Sequence, residues 1–301
     1  MPESATKTIF NGHSMVAPLE RVLVCSPRTA GWDQFERAAR WQKLGFHHAP
    51  DFATAQTQHD TLCRELQAAG AEVIELPPDP GLTLDAVYAH DASFPTDHGM
   101  IILRPGKPNR VSEATHQAGF FLHLQIPTLY KIPANPAQGT AEAGDMLWLD
   151  PKTLLIGHGY RTNKFGISFI HGLLHSKGIE VISAPLPYGP GPSACLHLMS
   201  LISLLDDHTA LVDLPWLAVE TVELLESRGF NFIEIDPSER DTLACNVLAL
   251  GNNRLLAIAE NEKTNSRLRR AGFDVRTFPG SELCINGSGG PTCLTRPLLR
   301  G

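Results

Sequence analysis

The chain of 301 residues has no CxxC pair, no excess of basic residues and no apolar run near the roughly 20 residues that cross a bilayer. Its six cysteines (Cys25, Cys63, Cys195, Cys245, Cys284 and Cys293) show no metal-finger spacing, which removes a zinc module from consideration. The start, Met1-Pro2-Glu3-Ser4, carries neither a basic nor an apolar leader segment. Scattered thiols in such a chain are expected to be reduced, which suits a cytoplasmic setting, and all but Cys293 read as small buried apolar residues. A formal charge of -7 with a pI near 6.0 argues against nucleic-acid binding, which needs a basic face, and suits a small cationic ligand. Aromatic residues are few, at 7%, and charged residues make up 19%, while 43% hydrophobic content is enough for a large core. Size alone allows one large domain or two small ones.

What is present is a repeat. Four segments run from a helix-like stretch through a glycine into an apolar strand that a proline stops. They are Leu66–Gly70 into Val73–Pro77, Leu174–Gly178 into Val181–Pro185, Glu226–Gly229 into Phe232–Pro237, and Leu268–Gly272 into Val275–Pro279. Apolar pairs around polar turns accompany them: Met146–Leu149 with Thr153–Ile156, Leu201–Leu205 with Ala210–Val212, and Val247–Leu250 with Leu255–Ile258. A less regular pair joins Val87-Tyr88 to Met100–Leu103 through the turn Thr96-Asp97-His98-Gly99. A ββαβ unit recurring about every 50 residues predicts a radial α/β array rather than a doubly wound sheet, read as one domain over residues 1–301. Arg21–Val24 and Cys293–Thr295 are expected to complete the fifth unit and close the ring.

Polar residues stand just before the first strand of each pair: Asp85, then Glu142 and Asp145, then His197, then Asn246, then Cys293. In a ring, equivalent positions converge on the axis, so these side chains are expected to meet. Cys293 lies in Gly289-Gly290-Pro291-Thr292-Cys293-Leu294-Thr295, a turn in which glycines admit close approach of a substrate to a nucleophilic thiol. A histidine distant in sequence and several carboxylates complete the usual scatter of a covalent cysteine enzyme.

In order, Asp85-Ala86-Val87-Tyr88-Ala89-His90-Asp91, Arg104-Pro105-Gly106 leading to Arg110, Gly139–Asp145, Arg161-Thr162-Asn163, His197-Leu198 and Gly-Gly-Pro-Thr-Cys293 resemble the guanidino-group-modifying enzymes, whose fold is a five-bladed α/β-propeller. The dimethylarginine dimethylaminohydrolases are the nearest of these, with arginine deiminases and arginine dihydrolases close behind, and the likeness runs from about Leu23 to Leu298. The resemblance implies that Cys293 attacks a guanidinium carbon, that His197 acts as general acid and base, and that Glu142 holds guanidinium nitrogens beside it. Asp85 and Asp91 become further acceptors, and Arg110 and Arg161 the groups that bind a substrate α-carboxylate. The scheme calls for no cofactor and no metal. Independently, a delocalised cation resists attack unless fixed carboxylates and proton transfer assist it.

Two positions depart from the pattern. Met199 stands where arginine deiminases carry an aspartate two residues after the histidine, which favours a bulkier, alkylated guanidine. His90 stands where dimethylarginine hydrolases commonly place an acid. The expected reaction is release of an alkylamine from a methylated arginine to give citrulline. Arginine deimination or dihydrolysis ranks second and amidino transfer third, with a non-catalytic binder of arginine-like ligands as the rival from another class. The expected partner is a small-molecule substrate, not nucleic acid or membrane, and a homodimer is compatible with this reading. Residues 31–48 read as an irregular segment placed as a lid or as a packed loop.

Overall fold

A computed structural model describes residues 10–133, 139–192, 194 and 196–301; Met1–Ser4 and Cys195 of the sequence reading lie outside them. Fifteen strands form five three-stranded sheets. Strands β1 (Leu19–Val24) and β2 (Glu72–Glu75) come first among the described strands, and four sheets follow in sequence blocks of three. These are β3 (Ser93–Thr96), β4 (Gly99–Ile102) and β5 (Thr128–Lys131); β6 (Met146–Asp150), β7 (Thr153–His158) and β8 (Glu180–Pro185); and β9 (Ile202–Leu204), β10 (Thr209–Val212) and β11 (Asn231–Glu234). The fourth block is β12 (Leu248–Gly251), β13 (Arg254–Ile258) and β14 (Asp274–Phe278), and β15 (Arg296–Arg300) ends the chain.

Every sheet obeys one rule. Its first strand pairs antiparallel with the second, and the second pairs parallel with the third across a helical crossover. In the fifth sheet the first strand is β15, so the two ends of the chain meet in one blade, with Val22 opposite Pro297 on one side and Val73 on the other. This is the five-bladed α/β-propeller expected from the repeat. Two boundaries differ from expectation. The closing strand is Arg296–Arg300, which leaves Cys293–Thr295 in the turn before it, where backbone bonds from Leu294 N to Gly290 O and Thr295 N to Thr292 O coil the chain. Likewise Val87 ends a short 3-10 turn, and the first strand of its hairpin starts at Ser93.

The crossovers are the helices Phe52–Ala68, Val111–His123, Lys164–His175, Val219–Ser227 and Glu262–Arg270. Four of them end before a glycine in the left-handed region: Gly70, Gly178, Gly229 and Gly272, with φ between 75° and 100°. The inner strands are buried along nearly their whole length, since they face both the axis and the neighbouring blades. Leu298 of the closing strand is fully buried in the cluster that also holds Val22, Leu23 and Leu256. Leu298→Ala is expected to lower unfolding free energy by about 2–5 kcal/mol, read as a reduced urea midpoint at unchanged slope.

The segment 31–48 is not irregular. It holds two helical turns, Phe35–Ala38 and Trp41–Leu44, and buries Trp32, Leu44 and Phe46 in the core, with Trp32 Nε1 donating to Leu84 O at 3.0 Å. Of the cysteines read as buried, Cys25, Cys245 and Cys284 are so, whereas Cys63 is half-buried.

Candidate active site

The turns before the first strands converge as the repeat predicts, and the structure brings the candidate residues together in two adjoining cavities. A larger one, of about 540 Å³, is lined by His197, Asn246 and Cys293, and also by Lys107, Trp216 and Arg240. Its volume is in the range of small-molecule sites. A narrow one, of about 10 Å³, runs past Cys293 to Asp85, Asp91, Arg110 and Arg161.

Cys293 is half-buried, and Asn246 Nδ2 lies 3.2 Å from its Sγ. The amide oxygen of Asn246 accepts from Thr292 N at 3.0 Å, so one side chain clamps the turn and donates toward the sulfur. A Cβ at Gly290 would stand 2.6 Å from this amide, which explains the glycine. The donor is of a kind that stabilises a thiolate, since a hydrogen bond to a charged acceptor is stronger than one to a neutral group. Sequence position marks Asn246 as an equivalent of the other candidates, and the structure gives it this function-bearing contact. Asn246→Ala is expected to reduce turnover roughly 10- to 100-fold, with a slower iodoacetamide reaction at Cys293 as the accompanying readout.

His197 is held from the other side. Its Nε2 lies 2.7 Å from Glu142 Oε2, and the backbone N–H of His197 donates to Ser200 Oγ at 3.1 Å. Glu142 is fully buried and also accepts from Gly106 N (2.7 Å) and Arg161 Nε (3.0 Å), with Arg161 NH2 2.8 Å from its second oxygen. Burial alone would raise the Glu142 pKa, but Arg161 and the hydrogen bond with His197 outweigh it and bring it down to about 2. A carboxylate so held stays ionised, keeps a proton on the facing nitrogen of His197 and favours an imidazolium.

Asp91 supplies a second buried acid. Its Oδ1 accepts from Gly144 N at 3.1 Å and its Oδ2 pairs with Arg110 NH1 at 2.6 Å. Burial pushes its pKa up, yet the charges of His197 and Arg110 prevail and hold it well below the usual carboxylate range. Gly144 is wedged between the two: a Cβ there would stand 2.6 Å from His197 Nδ1 and 2.9 Å from Asp91 Oδ1. Asp145, also fully buried, accepts from Leu198 N at 2.8 Å through Oδ1, and burial pushes it up to about 6. Asp85 is buried beside Lys107 Nζ at 3.6 Å.

The role expected of Arg110 needs correction. It is buried, and its donors go to Asp91, to both oxygens of Glu113 (2.8–3.1 Å) and to Tyr88 O (2.9 Å), so its fork positions Asp91 rather than facing an incoming carboxylate. Arg161 likewise spends Nε and NH2 on Glu142. His90 and Met199 do not border the cavities at Cys293; both turn to a separate space on the ring axis. His90 touches the nucleophile's turn at two points, its backbone N–H donating to Cys293 O at 3.1 Å and its imidazole Nδ1 lying 2.8 Å from Thr295 O. Sequence reading missed Lys107 and Arg240 because an isolated basic residue in a loop carries no pattern.

One ligand atom each of Asp91, Glu142 and His197 lie within 4.8 Å of one another, a spacing that a metal ion tolerates. Both carboxylates already carry a guanidinium, from Arg110 and Arg161, so a metal would have to compete with two charge-assisted pairs. The arrangement is better suited to a planar organic cation brought against Cys293.

A profile of the family described as Arginine deiminase matches residues 84–218 and 214–300. The chain is 29% identical over 248 residues to the N(G),N(G)-dimethylarginine dimethylaminohydrolase of Pseudomonas aeruginosa, covering 82% of this chain and 89% of that protein. A solved structure of the Pseudomonas aeruginosa dimethylarginine dimethylaminohydrolase, a mutant complexed with citrulline, superposes with a TM-score of 0.73 at 26% identity, covering 94% of this chain and all of the other. The N-terminal domain of a cyanobacterial arginine dihydrolase bound to product shares the fold, with a TM-score of 0.77 at 22% identity over 93% of this chain and 97% of that one. The matched region takes in four whole blades, the closing strand of the fifth and every candidate residue from Asp85 to Cys293, and the chain belongs to the arginine deiminase family of guanidino-group-modifying enzymes.

Proposed function

We propose that the protein hydrolyses a C–N bond of a guanidinium, with an Nω-methylated arginine as substrate and citrulline and an alkylamine as products. The observation that carries this reading is the placing of Cys293, with Asn246 on its sulfur, in one cavity with His197, whose partner Glu142 is locked by Arg161. The guanidinium enters the narrow end, where Asp85 and Asp91 supply negative charge beside the sulfur. A bound cation there favours thiolate. The thiolate adds to the guanidinium carbon, and the C–N bond to the alkylamine breaks as His197 delivers a proton to the departing nitrogen. This leaves a thiouronium on Cys293. Water then adds to the same carbon, His197 takes its proton, and the C–S bond breaks to return the thiol and release the ureido product.

With Arg110 and Arg161 committed inside the fold, the substrate's α-carboxylate is assigned to the mouth. There Arg240 supplies positive charge, steadied by Asp213 at 2.9 Å and stacked over Trp216. Relatives named dimethylarginine dimethylaminohydrolase support the substrate choice. Incubation with arginine and, separately, with dimethylarginine, followed by identification of the amine released, tests it. Dimethylamine from the second substrate is the expected result. Ammonia from arginine with dimethylarginine untouched would replace this reading by deimination, and transfer of the amidino group to an added amine would replace it by transferase chemistry.

A further inference from the structure

A second cavity lies on the propeller axis, lined by residues of all five first strands, among them Phe94, Trp148 and Leu248, and covered by the segment around Gly12 and Met15. Its volume is about 30 Å³, room for a small ion with a companion water. Two arginines of the closing strand border it. Arg296 is 2% exposed and donates through NH2 to His90 O at 2.7 Å; Arg300 is 6% exposed and donates to Ala17 O at 2.5 Å and Ala249 O at 3.0 Å. Every one of these acceptors is an uncharged carbonyl.

Among the described residues neither arginine takes part in an ion pair, and Asp91, the one acid that acts on Arg296 electrostatically, is already paired with Arg110. The Nε atoms of both arginines and the indole Nε1 of Trp148 are buried N–H donors without a hydrogen-bond partner among the described residues. A buried charge with no counter-ion is among the costliest arrangements in a protein, and two of like sign near one another add repulsion. Burial and the neighbouring Arg300 draw Arg296 down to about 9, and burial draws Arg300 to about 10. Water alone would satisfy the donors but leave the charge.

We infer that the axial cavity is a structural anion site, holding a chloride-sized monovalent anion on Arg296, Arg300 and Trp148. His90 completes its wall. The imidazole Nδ1 lies 2.8 Å from Thr295 O and donates to it in the neutral ring, which leaves Nε2, buried and without a partner, as an acceptor for the companion water. Burial and then Arg296 keep His90 neutral by lowering its pKa to about 3. The anion neutralises charge that the closing strand brings to the axis, so its binding is coupled to closure of the ring.

The test uses the unaltered protein crystallised with sodium bromide in place of chloride, with diffraction collected at the bromine edge. An anomalous peak within about 3.5 Å of the Nε atoms of Arg296 and Arg300 is expected. Density there that scatters as water, with no anomalous signal, overturns the proposal. In solution, chloride titrated against gluconate at constant ionic strength is expected to raise Tm logarithmically once above the dissociation constant, by roughly 3 °C at ten times that constant. A Tm identical in the two salts overturns it as well. The Arg296→Met variant is expected to lose the chloride response; should it fail to fold, the bromide experiment still decides.

Discussion

Cys293→Ser is expected to reduce turnover by on the order of 10⁴-fold or more while leaving the thermal transition almost unchanged. The two effects separate because the sulfur does little for the fold. It is half-buried, the Asn246 amide donates toward it, and a serine hydroxyl can take the same donor. What serine lacks is acidity and nucleophilicity: a thiol is several units more acidic than a hydroxyl, and the thiolate is the nucleophile that the first step requires. Mass spectrometry of the parent protein quenched during turnover is expected to show, on the peptide bearing Cys293, a thiouronium adduct that retains the substrate's amino-acid chain and lacks the alkylamine, absent from the variant. Wild-type turnover by the serine variant, or an adduct on Cys284 instead, would remove Cys293 from its assigned role. Cys284 is a poor candidate, since burial pushes its thiol pKa far up.

The repeat was legible because backbone geometry leaves marks in residue type. Four crossover helices end at a left-handed position, which an L-residue takes only with strain, so glycine stands there four times. The fifth crossover, Val111–His123 into β5, escaped notice because Gln125 occupies the same left-handed position with φ of 59°. Without the glycine the unit looked like any amphipathic helix. The site was legible by position: Glu142, His197, Asn246 and Cys293 stand one turn before equivalent strands, and a ring makes such positions neighbours. What position does not encode is direction. Arg110 and Arg161 sit at the site yet face Asp91 and Glu142, because a buried acid without a cation is untenable and these guanidinia are the nearest. His90 and Met199 flank key residues in sequence, yet His90 lies in the turn before Ser93 and Met199 in the 3-10 turn Leu198–Ser200, and both border the axial space instead. The charge pairing of buried groups is thus a property of the assembled ring, and only the structure reveals which cations serve substrate and which serve the fold.

Glu142 joins both roles, and its replacement is expected to have the second largest effect. Glu142→Gln keeps the shape and an acceptor for Gly106 N and Arg161, but removes the charge that Arg161 and His197 face. A fall in kcat of about 10²–10⁴ is expected, the range for loss of a working general acid and base. Stability should fall with it. Because the Glu142 pKa is lowered to about 2 from an ordinary value of 4.5, its ionised form contributes about 3 kcal/mol, fully present above pH 4.5 and lost as pH falls from there to about 2. Denaturant unfolding of the Gln variant should therefore show lower stability at pH 7 and a flatter profile between pH 4.5 and 2 than the parent. Asp145→Asn provides the opposite sign. Its pKa is raised to about 6 from 3.8, so the folded state favours the protonated form and gains stability as pH falls through that window. Asparagine retains an oxygen for Leu198 N without the buried charge, and should make the protein more stable at pH 7. If both variants instead lose stability equally and independently of pH, the two acids act by packing alone, and the proton path through Glu142 and His197 loses its electrostatic basis.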